Sequence, residues 1–145
     1  MTTFKTTTAS PYTDLGLFAG RCLLAMVYLY SGLTKLIIPG AADAEFAHFG
    51  LPAILIFPTI ALQIGGALAL ILGPFSRPAA LALAAFTFAA TMIAHAFWTF
   101  PEPERARQTI VFLEHLAIIG GLVSLAATGP GRIALSLPAF RNHRS

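Results

Sequence analysis

The sequence predicts an all-α integral membrane protein, a four-helix up-down bundle, on three observations. Four nearly uncharged apolar runs fill the chain, at about residues 15–38, 51–72, 78–98 and 109–127. Each approaches the ~20 residues that an α-helix needs to cross ~30 Å of hydrocarbon. The 145 residues are 57% hydrophobic and 10% charged, against about 25% charged in a typical soluble domain. Helix-breaking residues stand at the ends of the runs: Pro39-Gly40, Gly73-Pro74, Pro101 with Pro103, and Gly129-Pro130-Gly131.

The elements follow in order. A polar, Thr-rich N-terminal tail, residues 1–14, carries Lys5 as its one basic residue. A cleaved signal peptide needs a basic n-region, a shorter apolar core and a small-residue cleavage site, so the first run reads as a retained span. Asp14 after Pro11 is placed to cap it, and it stops at Pro39-Gly40. Residues 40–50 form a connection carrying Asp43, Glu45 and His48. Pro52 opens the second span. The third begins after Arg77-Pro78, where a proline in the first turn costs least. The fourth starts near Arg107. A basic tail, residues 129–145, contains Arg132, Arg141, His143 and Arg144. The connections are short, so successive helices should be antiparallel neighbours, and the membrane domain should cover residues 15–128.

Ionisable residues sit inside the spans, where they are costly in lipid and normally face an interior or an interface. Helical spacing sets several of them on shared faces. Arg21, Tyr28, Ser31 and Lys35 align on the first span, Thr59 and Gln63 on the second, and Thr87, Thr91, His95 and Trp98 on the third. On the fourth, Glu114, Ala117, Gly121 and Ser124 align, with His115 beside them. At 1.5 Å per residue, Lys35 lies about 5 Å from its membrane surface, His95 about 8 Å, Glu114 about 10 Å and Gln63 about 16 Å. These depths fall in one half of the bilayer and predict a pocket open to that side, with Ser31, Lys35, Gln63, Thr91, His95, Trp98, Glu114 and His115 as candidate lining residues.

Each has a plainer reading. Lys35 can snorkel, His95 can simply bond across helices, and Glu114 with Lys35 or His95 can be a structural ion pair rather than a proton-transfer pair. Arg21, alone near the other membrane surface, is expected to reach lipid phosphates. Gly65-Gly66-Ala67 and Gly120-Gly121 read as close helix contacts.

Several chemistries are disfavoured. Cys22 is the sole cysteine, so the chain cannot form an internal disulfide or run dithiol exchange alone. Glu114 and His115 are adjacent and project about 100° apart, which does not suit two ligands of one metal, so no metal is expected. No nucleotide loop, haem motif or hydrolase elbow is present. The net charge of +3 is dispersed and lacks the basic-aromatic clustering of a nucleic-acid binder.

Read together, the residues are recognisable. The chain resembles the DoxX family of small bacterial inner-membrane proteins. The resemblance runs from Gly16 to about Leu137. It rests on Arg21 with Ser31-Gly32-Leu33-Thr34-Lys35, on Gly50-Leu51-Pro52 and on Gln63-Ile64-Gly65-Gly66-Ala67-Leu68-Ala69. It continues through Thr91 with His95-Ala96-Phe97-Trp98 and Leu116 to Leu122, and closes on Gly129-Pro130-Gly131-Arg132. Two departures stand out: family members often carry an acidic residue at the place of Gln63, and Lys-Asn at the place of Glu114-His115.

The family is similar to DoxD, the membrane subunit of a thiosulfate:quinone oxidoreductase. The resemblance therefore implies a membrane component of quinone-linked redox chemistry in the bacterial inner membrane, at most an oxidoreductase subunit. The chain itself shows no cofactor ligation. A quinone is the cofactor the pocket would suit, and a redox partner subunit would supply electrons. A small-molecule permease and a non-catalytic scaffold, alone or as an oligomer, stay open as alternatives.

Lys5, Arg77, Arg132, Arg141 and Arg144 fall on the side of the termini, and Lys35, Arg105 and Arg107 on the other. By the positive-inside rule both termini should be cytoplasmic. Alkaline phosphatase fused after Ser145 should then be inactive, and fused within residues 40–50 active; the reverse pattern would reject the orientation.

Overall fold

In a computed structural model the described residues are 11–135. The predicted tails at 1–10 and beyond 135, with Lys5, Arg141, His143 and Arg144, lie outside them. The regular structure is helical: α1 (Pro11–Ile37), α2 (Ala41–His48), α3 (Ile56–Leu72), α4 (Ser76–Ala94) and α5 (Glu104–Thr128). Four of these elements, α1, α3 with the 3₁₀ turn before it, α4 with the 3₁₀ turn after it, and α5, are long and apolar enough to span a bilayer. The protein is a four-helix membrane bundle. The main packing runs α1 on α3, α3 on α4 and α4 on α5, with α5 closing more loosely on α1. Chain neighbours are therefore spatial neighbours, as short connections require.

The core is built from Ala25, Tyr28, Ala67, Leu70, Ala80, Leu83, Leu122 and Leu125. Small residues set the helix separations. A Cβ on Gly32 of α1 would stand 2.7 Å from Ile64 and 3.2 Å from Gln63 on α3. One on Gly66 of α3 would meet Leu83 of α4 at 3.0 Å. In a bilayer, where packing replaces the hydrophobic drive between helices, such contacts hold the bundle together. Gly65 and Gly120, by contrast, face open space.

Three sequence expectations change. Residues 40–50 are not a plain connection. Ala41–His48 folds as α2 and buries Ala42 and Phe46 against Ile56. Four alanines and a glutamate within eight residues favour the helix, and Phe46 supplies its anchor. Asp14 does not cap α1; it lies in the helix's first turn, buried, and its Oδ1 accepts the backbone N–H of Arg132 at 2.9 Å.

Arg21 does not reach lipid phosphates: it is 1% exposed. Its guanidinium donates to the carbonyls of Leu70 at 3.1 Å, Ile71 at 3.4 Å, and Ile133. Leu70 and Ile71 belong to the last turn of α3, whose carbonyls have no intrahelical donor. Gly73 N–H serves Ala69, and Leu135 N–H serves Leu72, so all four terminal carbonyls of α3 are bonded. A cation there also faces the negative end of the helix dipole.

Arg21→Met should therefore destabilise the protein by roughly 3 kcal/mol, the loss of two or more charge-assisted bonds. Arg77, which donates to the carbonyl of Thr128 at 3.3 Å from an exposed position, should cost about 1 kcal/mol or less when changed to Met. Thermal unfolding in detergent measures both; equal losses would reject the capping role of Arg21.

Candidate functional site

At the end of the bundle opposite Arg21, a cavity of about 310 Å³ opens between α1, α2, α3, α4 and α5. Ser31, Lys35, Gln63, His95 and His115 line it, with Tyr28, Thr87, Glu45, Phe49 and Phe86. Five of the eight residues singled out from the sequence are thus brought together.

Each polar side chain is oriented by an identifiable bond. The close α1–α3 approach at Gly32 brings Ser31 within reach of α3. Ser31 Oγ accepts from Gln63 Nε2 at 3.0 Å and from Lys35 Nζ, one turn on, at 3.0 Å. With two bonds accepted, the Ser31 hydroxyl proton is still available to donate. The Lys35 side chain is 6% exposed and pairs with Glu45 of α2 at 2.8 Å. Gln63 is 4% exposed, and its Oε1 is buried without a hydrogen-bond partner among the described residues. An unmet acceptor in this setting is costly.

The α4 threonines act as acceptors toward the interior. Thr87 Oγ1 donates to the carbonyl of Leu83 at 2.8 Å, and Thr91 Oγ1 to that of Thr87 at 2.6 Å. A hydroxyl has one proton. Tyr28 O–H therefore donates to Thr87 Oγ1 at 2.5 Å, and His115 Nδ1–H donates to Thr91 Oγ1 at 2.9 Å.

His95 is set by a longer chain. Arg107 Nη2 pairs with Glu104 Oε1 at 2.8 Å. Gln108 Nε2 donates to the same oxygen at 2.7 Å, so its Oε1 faces His95 Nδ1 at 2.7 Å. An amide oxygen only accepts, hence His95 Nδ1 carries the proton. The two imidazole rings pack edge to face with centroids 5.0 Å apart. In both, Nδ1 carries a proton, and in the neutral ring Nε2 is then a lone-pair acceptor.

Thr91 is 1% exposed and stands behind the cavity wall as the partner of His115. Two candidates lie elsewhere. Trp98 is 51% exposed and packs edge-on against Phe97 and Phe112, with centroids 5.1 and 6.0 Å away. The helical spacing that aligned it with His95 fails because α4 ends at Ala94. His95 takes φ −127°, ψ 36°, and a 3₁₀ turn follows.

Glu114 is exposed, and the predicted pair with Lys35 or His95 is not made. Lys35 engages Glu45, and His95 engages Gln108. The inward face of α5 carries Gln108, His115, Leu122 and Leu125 instead of the stripe through Glu114. Glu45, Gln108 and Glu104 were missed as site residues. The usable signal was depth: Gln108 sits on the first turns of its span at the level of His95, and Glu45 lies in the connection that follows the first span on the same side.

Beside the polar cavity lies an apolar cleft of about 320 Å³ between α2, α3 and α4. Its walls include Leu51, Leu55, Pro58, Leu62 and Ile93. It shares Glu45, Phe49, Phe86, Ala90 and Ala94 with the polar cavity, so the two spaces adjoin. Among the described residues, no three His, Cys, Asp or Glu side chains gather as a metal site.

The DoxX family profile matches residues 16–96, more than half of the chain and the part that carries Arg21, Ser31, Lys35, Gln63 and His95. The Escherichia coli inner membrane protein YqjF is 29% identical over 122 residues, 84% of this chain and 90% of the relative. The inner membrane protein YphA of the same organism is 26% identical over 121 residues, 82% of this chain and 86% of the relative. No solved structure matches the chain significantly. Two inner-membrane relatives and four apolar spans support a multi-pass inner-membrane protein. From the profile match over spans one to three, this chain belongs to the DoxX family.

Proposed function

We propose that the protein is a quinone-binding membrane component of a redox system, with the polar cavity open toward the outer side of the inner membrane. The observation that carries this reading is the adjoining pair of spaces. A polar cavity lined by Ser31, Lys35, Gln63, His95 and His115 meets an apolar cleft of similar volume. That pairing suits an amphipathic ligand with a compact polar head and a long apolar tail, which is the chemistry of an isoprenoid quinone. Pockets for such ligands are mostly apolar with a few placed polar groups.

The head would lie among Ser31, Lys35, Gln63, His95 and His115, and the first units of the tail along Leu55, Leu62 and Ile93. Lys35 and Ser31 O–H are donors for a quinone oxygen, and the histidines are proton acceptors within the same cavity. Electrons have to come from, or pass to, a partner subunit, because the described residues offer no flavin, haem or iron–sulfur ligation.

Protein purified from membranes in mild detergent should yield close to one quinone per chain on organic extraction. Gln63→Leu leaves Ser31 without its amide donor and makes that part of the cavity wall apolar, and should lower the recovered quinone about tenfold or more while the protein stays folded. A native protein that carries no quinone above the detergent background would reject the reading and favour the scaffold alternative.

A further inference from the structure

The hydrogen-bond directions around the cavity bear on more than the class of ligand proposed above. They distinguish its two redox forms. We infer that the cavity is built for the reduced, dihydroxy form and holds it more tightly than the oxidised, dicarbonyl form. The inference rests on the quinone reading above and names which member of the couple the site selects.

The directions come from protons already committed elsewhere. Gln108 turns its amide N–H to the Glu104 carboxylate at 2.7 Å, so His95 Nδ1 must donate to Gln108 Oε1. Thr91 gives its proton to the Thr87 carbonyl at 2.6 Å, so His115 Nδ1 must donate to Thr91 Oγ1. A neutral imidazole with its proton on Nδ1 has only a lone pair on Nε2. Two such rings, 5.0 Å apart, line the cavity.

The opposing donors are the free proton of Ser31 and the remaining N–H of Lys35, whose other bonds go to Ser31 and Glu45. A carbonyl oxygen only accepts. It can use Ser31 or Lys35, but it leaves the imidazole lone pairs unpaired and sets its own lone pairs near them. A hydroxyl both donates and accepts, so a quinol satisfies both groups. An unmet buried acceptor costs more than a made bond returns, so the difference falls mainly on the oxidised form.

The test compares two probes on one preparation. Decylubiquinol and decylubiquinone are titrated anaerobically into the purified full chain in lipid nanodiscs. The pH is 8, above the ordinary imidazole pKa of about 6.5. One or two net hydrogen bonds correspond to a quinol affinity about tenfold or more above that of the quinone. A ratio of two affinities on the same sample does not depend on the fraction of active protein.

In the His95→Phe, His115→Phe double variant the ratio should fall to within about threefold. If that variant does not fold, Gln108→Leu reads the same quantity. It frees His95 to move its proton to Nε2, and the ratio should drop by about threefold. Equal binding, tighter binding of the quinone, or a ratio unchanged in the variants overturns the selectivity while leaving a quinone site in place. Failure of both probes to bind overturns the quinone reading along with it.

Discussion

The structure depends on a constraint that water would relax: in hydrocarbon, every backbone polar group must find a partner inside the protein. Arg21 meets it at one end of the bundle. Its guanidinium holds the carbonyls of Leu70, Ile71 and Ile133 together. Two segments that are remote in sequence, the end of α3 and the chain around Ile133, therefore converge on one side chain of α1. The consequence reaches the opposite end. Ser31 lies ten residues further along α1, about 15 Å, and Gln63 seven residues back along α3, about 10 Å. Arg21 on Leu70 and Ser31 on Gln63 are two fixed points on the same antiparallel helix pair. Together they set the register of α1 against α3, with Gly32 permitting the close approach between them.

A related economy governs α4. Threonine in a membrane helix can return its proton to the carbonyl one turn back. Thr87 and Thr91 both do so, and each then offers only an acceptor to the interior. Tyr28 and His115 must donate to them. The helix therefore dictates the hydrogen-bond polarity of side chains on two other helices. Gln108 and Glu104 do the same for His95 from α5. The orientation of the histidines is consequently a property of the supporting residues, which a description confined to the cavity wall would omit.

Spans and their order were legible because length and apolar composition alone define a membrane helix. Counting along the helices grouped Lys35, Gln63, His95 and Glu114 by depth; the first three line one cavity with Ser31 and His115, and Glu114 does not. What counting cannot supply is rotation. A soluble helix reveals its inner face by polarity, whereas a span is apolar toward lipid and toward the core alike. On α5 the choice between Glu114 and His115 was therefore undetermined, and the inward face passes through His115. Arg21 was misread for a similar reason. Near a membrane surface, a snorkelling arginine and one that caps a buried helix end differ only in tertiary contacts. Glu45 was hidden by treating the first connection as featureless, when its alanines and Phe46 encode a helix.

The two ends of the bundle serve different purposes for one physical reason. Near Arg21, the chain after Gly129 folds back across the helix ends: Arg132 N–H bonds Asp14, and Leu135 N–H bonds Leu72. Among the described residues, the four terminal carbonyls of α3 at that end all have donors. At the other end α4 stops at Ala94, and the chain leaves the helix at His95. The side chain there is held by Gln108 from α5, the neighbouring helix, rather than by the geometry of its own helix. The interior is covered by the short α2, anchored through Phe46 and tied to Lys35 through Glu45. Continuing α4 by one regular turn would carry His95 and the residues after it along the helix axis and remove the bend that sets the ring beside His115. The helix break is thus the local departure that gathers the polar groups, and the capped end gives them a fixed frame.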